Sequence, residues 1–121
     1  MKTRTARYLL ALQATAQALA VLIPPTTADA DATAYVLNTT LRPGYHFANA
    51  QDAIGYGQHI CDKVSQGRSY GHVVGDVKKD FGTTDEYQAS YLVVQAVNEL
   101  CPALIWHVRN SAANYRPEEA Q

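Results

Sequence analysis

Cys61 and Cys101 are the residues of this sequence with the most versatile chemistry, since a thiol can form a disulfide, bind a metal or act as a nucleophile. An even number of cysteines in an exported domain of fewer than about 100 residues is typical of a disulfide. A bond between these two closes a loop of about 40 residues and stabilises the fold by roughly 4 kcal/mol. We therefore predict a Cys61–Cys101 disulfide, provided that the chain is exported.

The other roles for these cysteines have less support in the sequence. His59 lies two residues before Cys61, and residues two apart on a helix point away from each other, so this spacing does not favour a Cys/His catalytic pair. The two cysteines also lack the paired CxxC spacing of a structural zinc site. A reactive thiol stays open as the alternative to the disulfide.

The first thirty residues predict the compartment. Three basic residues open the chain, an apolar run follows, and a segment of small residues after two prolines closes the unit. That order is typical of a secretory signal peptide. These parts are Lys2, Arg4 and Arg7, then residues 8–23, then residues 24–32. We predict a cleaved signal peptide over residues 1–30, with cleavage after Ala32 as a second option, and a secreted or cell-envelope protein.

The length of the apolar run and the charge balance restrict the partners. The run covers about 16 residues, whereas a spanning helix needs roughly 20, so we expect no stable membrane span after cleavage, and an uncleaved anchor is the alternative. Cleavage removes three of the ten Lys and Arg residues and one of the eleven Asp and Glu residues, which leaves a charge of about −3 over about 91 residues. This length fits one domain, and its charge does not favour nucleic-acid binding.

Apolar residues at three- and four-residue spacing, together with capping residues, predict an all-α fold. The predicted helices cover residues 31–41, 49–66, 70–81 and from 84 or 85 to 100. Asp31, Asn49 and Ser69 are candidate N-caps, and Gly67 and Gly82 follow two helix ends. We expect a small bundle of four short helices, with the disulfide joining the second to the fourth.

The end of the chain admits a fifth element. Pro102 stops the fourth helix or starts a short further turn over residues 103–108, which would place Leu104, Ile105 and Trp106 on the core. The predicted domain therefore covers residues 31–108. Residues 109–121 contain few apolar side chains, and we predict a disordered C-terminal tail there.

Several short motifs in the predicted helices resemble a known family. They are Ile60-Cys61-Asp62, Gly67, Val73-Val74-x-x-Val77 and Leu100-Cys101-Pro102. In this combination, residues 31–104 are similar to the small secreted mycobacterial proteins of the domain of unknown function 732 family. The resemblance implies an all-helical exported domain with one disulfide, and it brings no assigned activity.

Sequence motifs for catalysis are missing. The chain has no G-x-S-x-G, H-E-x-x-H, phosphate-binding loop or G-x-G-x-x-G, and none of its four histidines pair at helical spacing. The acidic residues lie on the polar faces of the predicted helices, where solvated charge is the favoured interpretation. We therefore expect no catalytic residues, no metal and no cofactor, and interpret the protein as a non-enzymatic binding or interaction module of the cell envelope or medium. Its partner is an unknown protein or small ligand.

An aromatic loop supports a second hypothesis. Tyr45, His46 and Phe47 form this loop, next to a helix that Gly55 and Gly57 weaken. A pocket between helices, lined by Tyr45, His46, Phe47, Tyr56 and Tyr91, would make the protein a carrier of a small ligand, for example haem. Aromatic rings at the edge of a small core are the simpler interpretation of these tyrosines. For the two glycines we expect close approach of a neighbouring helix.

Export and the disulfide lead to one joint prediction. We expect protein recovered from the culture medium to lack residues 1–30 and to weigh about 2 Da less than its reduced form, because disulfide formation removes two hydrogens. Intact-mass spectrometry before and after reduction measures both changes. A full-length chain in the cytosol with both thiols open to alkylation contradicts the prediction.

Overall fold

The computed structural model describes residues 27–117. It contains α1 (Thr27–Thr40), α2 (Ala50–Ser65), α3 (Tyr70–Phe81), α4 (Glu86–Leu100), a 3-10 turn (Pro102–Leu104) and α5 (Ile105–Ala112). No strand occurs between residues 27 and 117, so the predicted all-α class is confirmed and the fifth helix is present. Residues 1–26 of the predicted signal peptide lie outside the described residues. None of the described helices has the length and apolar character needed to cross a lipid bilayer.

Side-chain caps fix the starts of three helices, at the predicted caps Asn49 and Ser69 and, for α4, at the second of the two predicted starting positions. Asn49 accepts a hydrogen bond from the backbone N–H of Asp52 at 2.8 Å, and Ser69 does the same for His72 at 3.3 Å. At α4 the cap is Asp85, which accepts from Tyr87 at 2.9 Å. These bonds satisfy backbone donors that have no partner within the helix.

Helix α4 lies at the centre of the bundle and packs against α1, α2 and α3. Its buried side chains meet the valines of α3 and the inner faces of the two other helices. The buried residues of the four helices include Tyr35, Ile60, Val64, Val73, Val74, Val77, Leu92, Val93 and Val97. Most are β-branched, so the core is filled by side chains with little rotamer freedom to lose.

The predicted disulfide is present. Cys61 on α2 is bonded to Cys101 at the end of α4, with a Cα–Cα distance of 6.1 Å. The bond fixes the last turn of α4 to α2 at the point where Pro102 redirects the chain. A domain of this size buries a modest fraction of its surface, so a crosslink at the end of its central helix adds much to its stability.

Helix α1 differs from its predicted form at both ends. It begins at Thr27 rather than near Asp31, so Asp31 lies within the helix and does not cap it. The alternating alanines of residues 28–34 explain the extension, because alanine has the highest helix propensity. Leu41, the last residue of the predicted helix, follows the last helical residue and is 80 % exposed.

The structure also corrects the start of the predicted C-terminal tail. Helix α5 continues through residues 109–112, and Tyr115 packs edge-to-face on Tyr70 with the ring centroids 5.1 Å apart. Ser111 accepts a hydrogen bond from the backbone N–H of Tyr70 at 3.0 Å, which satisfies a free donor in the first turn of α3. The low apolar content of residues 109–121 gave no indication of these two contacts. Residues 118–121 lie outside the described part.

Trp106 is a further departure from expectation. It was predicted to cover the core, but its side chain is 69 % exposed and lies beneath the guanidinium of Arg109. Leu104 and Ile105 pack against the core as predicted, and Val108 is the buried residue of α5. The prediction is wrong at Trp106, because consecutive residues on a helix point in different directions and cannot all face the core.

The two glycines of α2 have different surroundings. A Cβ atom added to Gly57 would lie 2.5 Å from Leu100 Cδ1 and 2.7 Å from Tyr35 Cζ, so the predicted close approach is confirmed there. A Cβ added to Gly55 has no heavy atom within 4 Å, so the same prediction is wrong at that position. Of these two glycines, only Gly57 is required by close packing.

This contrast predicts opposite effects of the same substitution. We expect Gly55→Ala to raise the free energy of unfolding by about 0.5–1 kcal/mol, through the higher helix propensity of alanine. We expect Gly57→Ala to lower it by about 1–3 kcal/mol, because Leu100 and Tyr35 must move. Urea denaturation of the oxidised proteins measures both changes. Equal shifts in the same direction would show that the packing at Gly57 is not tight.

Candidate functional site

A cation and two aromatic rings meet where α1 ends and α4 begins. The Cζ atom of Arg42 lies 3.8 Å from the ring centroid of Tyr91 and 4.9 Å from that of Tyr87. The two tyrosines are one helical turn apart, and their centroids are separated by 6.2 Å. A guanidinium this close to a ring is attracted by the negative face of the π system. The position of Arg42 is therefore fixed by two rings on α4.

Polar contacts between α1 and α4 hold these rings in place. The side-chain amide of Asn38 donates to Oε1 of Gln95 at 2.8 Å. The hydroxyl of Tyr91 donates to the carbonyl of Asn38 over a longer distance, 3.5 Å. Both bonds join the same pair of helices, whose inner sides also pack in the core. The Arg42 contacts thus rest on a stable helix pair.

Exposed apolar side chains lie close to Arg42 in the sequence. Leu41 directly precedes Arg42 after the end of α1, and Leu37 is the neighbour of Asn38, the α1 residue that is bonded to α4. Leu37 is 53 % exposed and Tyr87 is 64 % exposed. Val94 extends the Tyr87–Tyr91 row by one turn. We call this surface the Arg42 face; it consists of Leu37, Leu41, Arg42, Tyr87, Tyr91 and Val94.

Arg42 carries a charge that no described carboxylate neutralises. Between residues 27 and 117, its guanidinium lies over the two rings, its charge also acts on the nearby Tyr45, and no ion pair or hydrogen bond involves it. Lys63 and Arg68 behave differently, because both bind Asp76, at 3.1 and 2.6 Å. The hydrogen bond from Arg68, supported by Lys63, holds the pKa of Asp76 below its usual range. Arg42 is therefore the cation of this surface that remains available.

The aromatic residues predicted to line a pocket form a packed cluster instead. Phe47 and Phe81 contact each other, and each of them also contacts Tyr45 and Tyr56, with centroid distances from 5.2 to 6.2 Å. The hydroxyl of Tyr45 donates to the carbonyl of Gln88 at 2.6 Å, and burial raises the pKa of Tyr45 to about 12. These rings fill the space between α2, α3 and the loop after α1. The sequence analysis did not assign Phe81 to this cluster.

Tyr56 has its hydroxyl engaged as well. It donates to Oδ2 of Asp80 at 2.8 Å, and burial together with this bond raises the pKa of Tyr56 well above its usual value. The contact links α2 to the last turn of α3. Tyr56 therefore contributes to helix packing at the edge of the aromatic cluster.

The two remaining predicted residues lie elsewhere. Tyr91 belongs to the Arg42 face and does not join the cluster. His46 is exposed, with φ of 51°, and borders an open cavity of about 400 Å³ in the loop after α1. Thr39, Thr40, Leu41, Arg42, Pro43, Gly44 and Phe47 complete the lining of this cavity. The structure thus brings three of the five predicted residues together in the cluster, places His46 beside Phe47 at the cavity, and leaves Tyr91 on the Arg42 face.

Arg42, Leu37 and Tyr87 were not predicted as members of a surface site. Arg42 stands in the Arg42-Pro43-Gly44 sequence that ends α1, and Tyr87 follows the helical spacing of the apolar residues of α4, so neither indicates such a site by its type or spacing. One signal was present, because Leu37 falls outside the apolar stripe formed by Tyr35 and Val36. Among the described residues, no three His, Cys, Asp or Glu side chains converge in a way that could hold a metal ion.

The family comparison covers most of this structure. A family model described as protein of unknown function (DUF732) matches residues 28–103. The chain belongs to this family. The matched DUF732 region includes the Arg42 face, the aromatic cluster and both cysteines, and it ends before α5. A search of curated proteins and a search of solved structures each found no match.

Proposed function

We propose that the protein is a non-enzymatic binding module that docks a protein partner on the Arg42 face. The observation that carries this proposal is the position of Arg42 over two tyrosine rings, next to exposed leucines. Tyrosine and arginine are over-represented among the residues that dominate binding energy at protein interfaces. An exposed group of large apolar side chains bordered by polar residues is typical of such surfaces.

The chemistry of the face favours binding over catalysis. Arg42 is its single ionised side chain, and the other members offer apolar and aromatic surface. The face contains no histidine, cysteine, serine or carboxylate, and the hydroxyl of Tyr91 is bonded to the carbonyl of Asn38. The face has the composition of a recognition surface.

The proposed place of action is the cell envelope or the surrounding medium. The basic, apolar and small-residue order of residues 1–32 supports export. The Cys61–Cys101 disulfide supports the same conclusion, because disulfides persist in oxidising compartments. The mycobacterial resemblance of the sequence motifs agrees with an exported protein of this kind.

Site-specific photo-crosslinking tests the docking proposal. We replace Leu41, which is 80 % exposed, by p-benzoylphenylalanine and irradiate cells that produce the protein. The expected result is a discrete adduct of higher mass, which weakens when Tyr87→Ala is added. The matched control carries the same probe at Trp106, which is 69 % exposed on α5 and distant in sequence from the face. Equal adducts at both positions, or none at Leu41, would overturn the proposal.

A small-ligand carrier is the second candidate, and the open cavity beside His46 is the observation that favours it. Its volume of about 400 Å³ falls within the range of small-molecule sites, roughly 300–1,000 Å³. His46 and Arg42 both border it, so it offers a nitrogen ligand and a cation. In this candidate, the packed rings of Tyr45 and Tyr56 support the cavity wall and do not contact the ligand.

Haem titration tests the carrier. If the cavity binds haem through His46, adding the oxidised protein shifts the Soret band, and His46→Ala abolishes the shift. His59→Ala is the control, because His59 is exposed on α2 and does not line the cavity. An unchanged Soret band with the wild-type protein removes haem from consideration.

A further inference from the structure

We propose that the partner segment bound at the Arg42 face carries an Asp or Glu side chain, whose carboxylate pairs with Arg42 while neighbouring apolar residues cover Leu41 and Tyr87. This inference rests on the proposed docking function and names the chemistry of the partner. Three observations support it: the free donors of Arg42, the engagement of the nearby acids, and the position of Arg42 among exposed apolar side chains.

The first observation concerns the hydrogen-bond donors of Arg42. A guanidinium has five N–H donors in a planar fork, and this geometry matches the two oxygens of a carboxylate. The rings of Tyr87 and Tyr91 lie 4.9 and 3.8 Å from the group and contact it through their faces, which leaves its N–H donors without an oxygen partner from these two residues. Among the described residues, no acceptor binds them. The guanidinium of Arg42 is therefore held in position by the two rings, and its N–H groups are still available to donate hydrogen bonds.

The second observation concerns the carboxylates at the start of α4. Asp85 caps the helix and accepts from the backbone N–H groups of Tyr87 and Gln88. Glu86 forms an ion pair with Lys78 and accepts a hydrogen bond from the hydroxyl of Tyr115. Both acids next to Tyr87 in sequence are thus engaged in local structure. The counter-ion of Arg42 has to come from another molecule once the face is covered.

The third observation makes an acidic partner necessary rather than optional. Leu41 adjoins Arg42 in sequence, and Tyr87 lies beneath its guanidinium, so a segment that covers these two side chains also removes water from Arg42. Burying an unpaired charge costs several kcal/mol, which exceeds what a few apolar contacts supply. A purely apolar partner is therefore disfavoured, and a basic one is repelled.

A protein segment fits this face better than an anionic lipid surface. Peripheral membrane binding depends on several basic residues that act together near the anionic surface. Arg42 is the single cation of the face, and the full sequence has a formal charge of −1. One well-positioned guanidinium with apolar neighbours instead suits one acidic side chain within an apolar segment.

Peptide display with defined variants tests the inference. A phage-displayed library of random 12-residue peptides is selected against the oxidised protein, and the enriched sequences are synthesised. We expect apolar peptides with an Asp or Glu, and binding about tenfold weaker after Arg42→Gln or after the acid in the peptide is changed to its amide. Because both changes remove one contact, combining them should add little further loss. Arg109→Gln is the control, since Arg109 lies over the single ring of Trp106 on α5.

The outcomes separate this inference from the proposed function. Peptides that lose affinity in Tyr87→Ala but contain no acid and tolerate Arg42→Gln overturn the acidic partner and leave docking on the face standing. Peptides that tolerate both substitutions, or a library without enrichment, overturn both. Binding of phosphatidylglycerol vesicles that requires Arg42, with no peptide enriched, overturns the inference in favour of a lipid surface.

Discussion

The packing of α4 against three other helices is the constraint on which the rest of the structure depends. Its inner side supplies Leu92, Val93 and Val97 to the core, and the opposite side carries Tyr87 and Tyr91. Because the same helix carries the core residues and the outer tyrosines, the packing of the core determines where the rings of Tyr87 and Tyr91 lie. A domain of this size has little stability to spare, and the disulfide at the end of α4 limits the ways in which this helix can move.

A fixed position matters for recognition because ordering a flexible side chain on binding costs free energy. Arginine loses much rotamer freedom when it is immobilised. The two ring contacts restrict Arg42 before any partner arrives, and the Asn38–Gln95 hydrogen bond keeps α1 aligned with α4. The bundle thus presents a preorganised cation, although its sequence has no motif that marks a binding site.

The sequence predicted the helices where local chemistry decides the boundary and failed where tertiary contacts decide it. Asn49, Ser69 and Asp85 start their helices through bonds to residues two or three positions away. Pattern alone therefore located the first two and restricted the start of α4 to residue 84 or 85. Tyr115 acquires its place through the space above Gly71 and the edge of Tyr70, which no local pattern encodes. The site at Arg42 could not be predicted for the same reason, because the two rings that it contacts belong to residues more than forty positions further along the chain.

The second cation–ring pair of the structure shows why chemistry alone does not define a site. Arg109 lies 5.3 Å from the ring of Trp106, and this ring is as exposed as that of Tyr87. Both residues belong to the short helix α5, beyond the region that matches the DUF732 family, and they share one element. Arg42 instead comes from the loop after α1 and its rings from α4, so its geometry is set by helix packing. A surface whose parts are joined by the core keeps its shape when water leaves it, which is the property that docking requires.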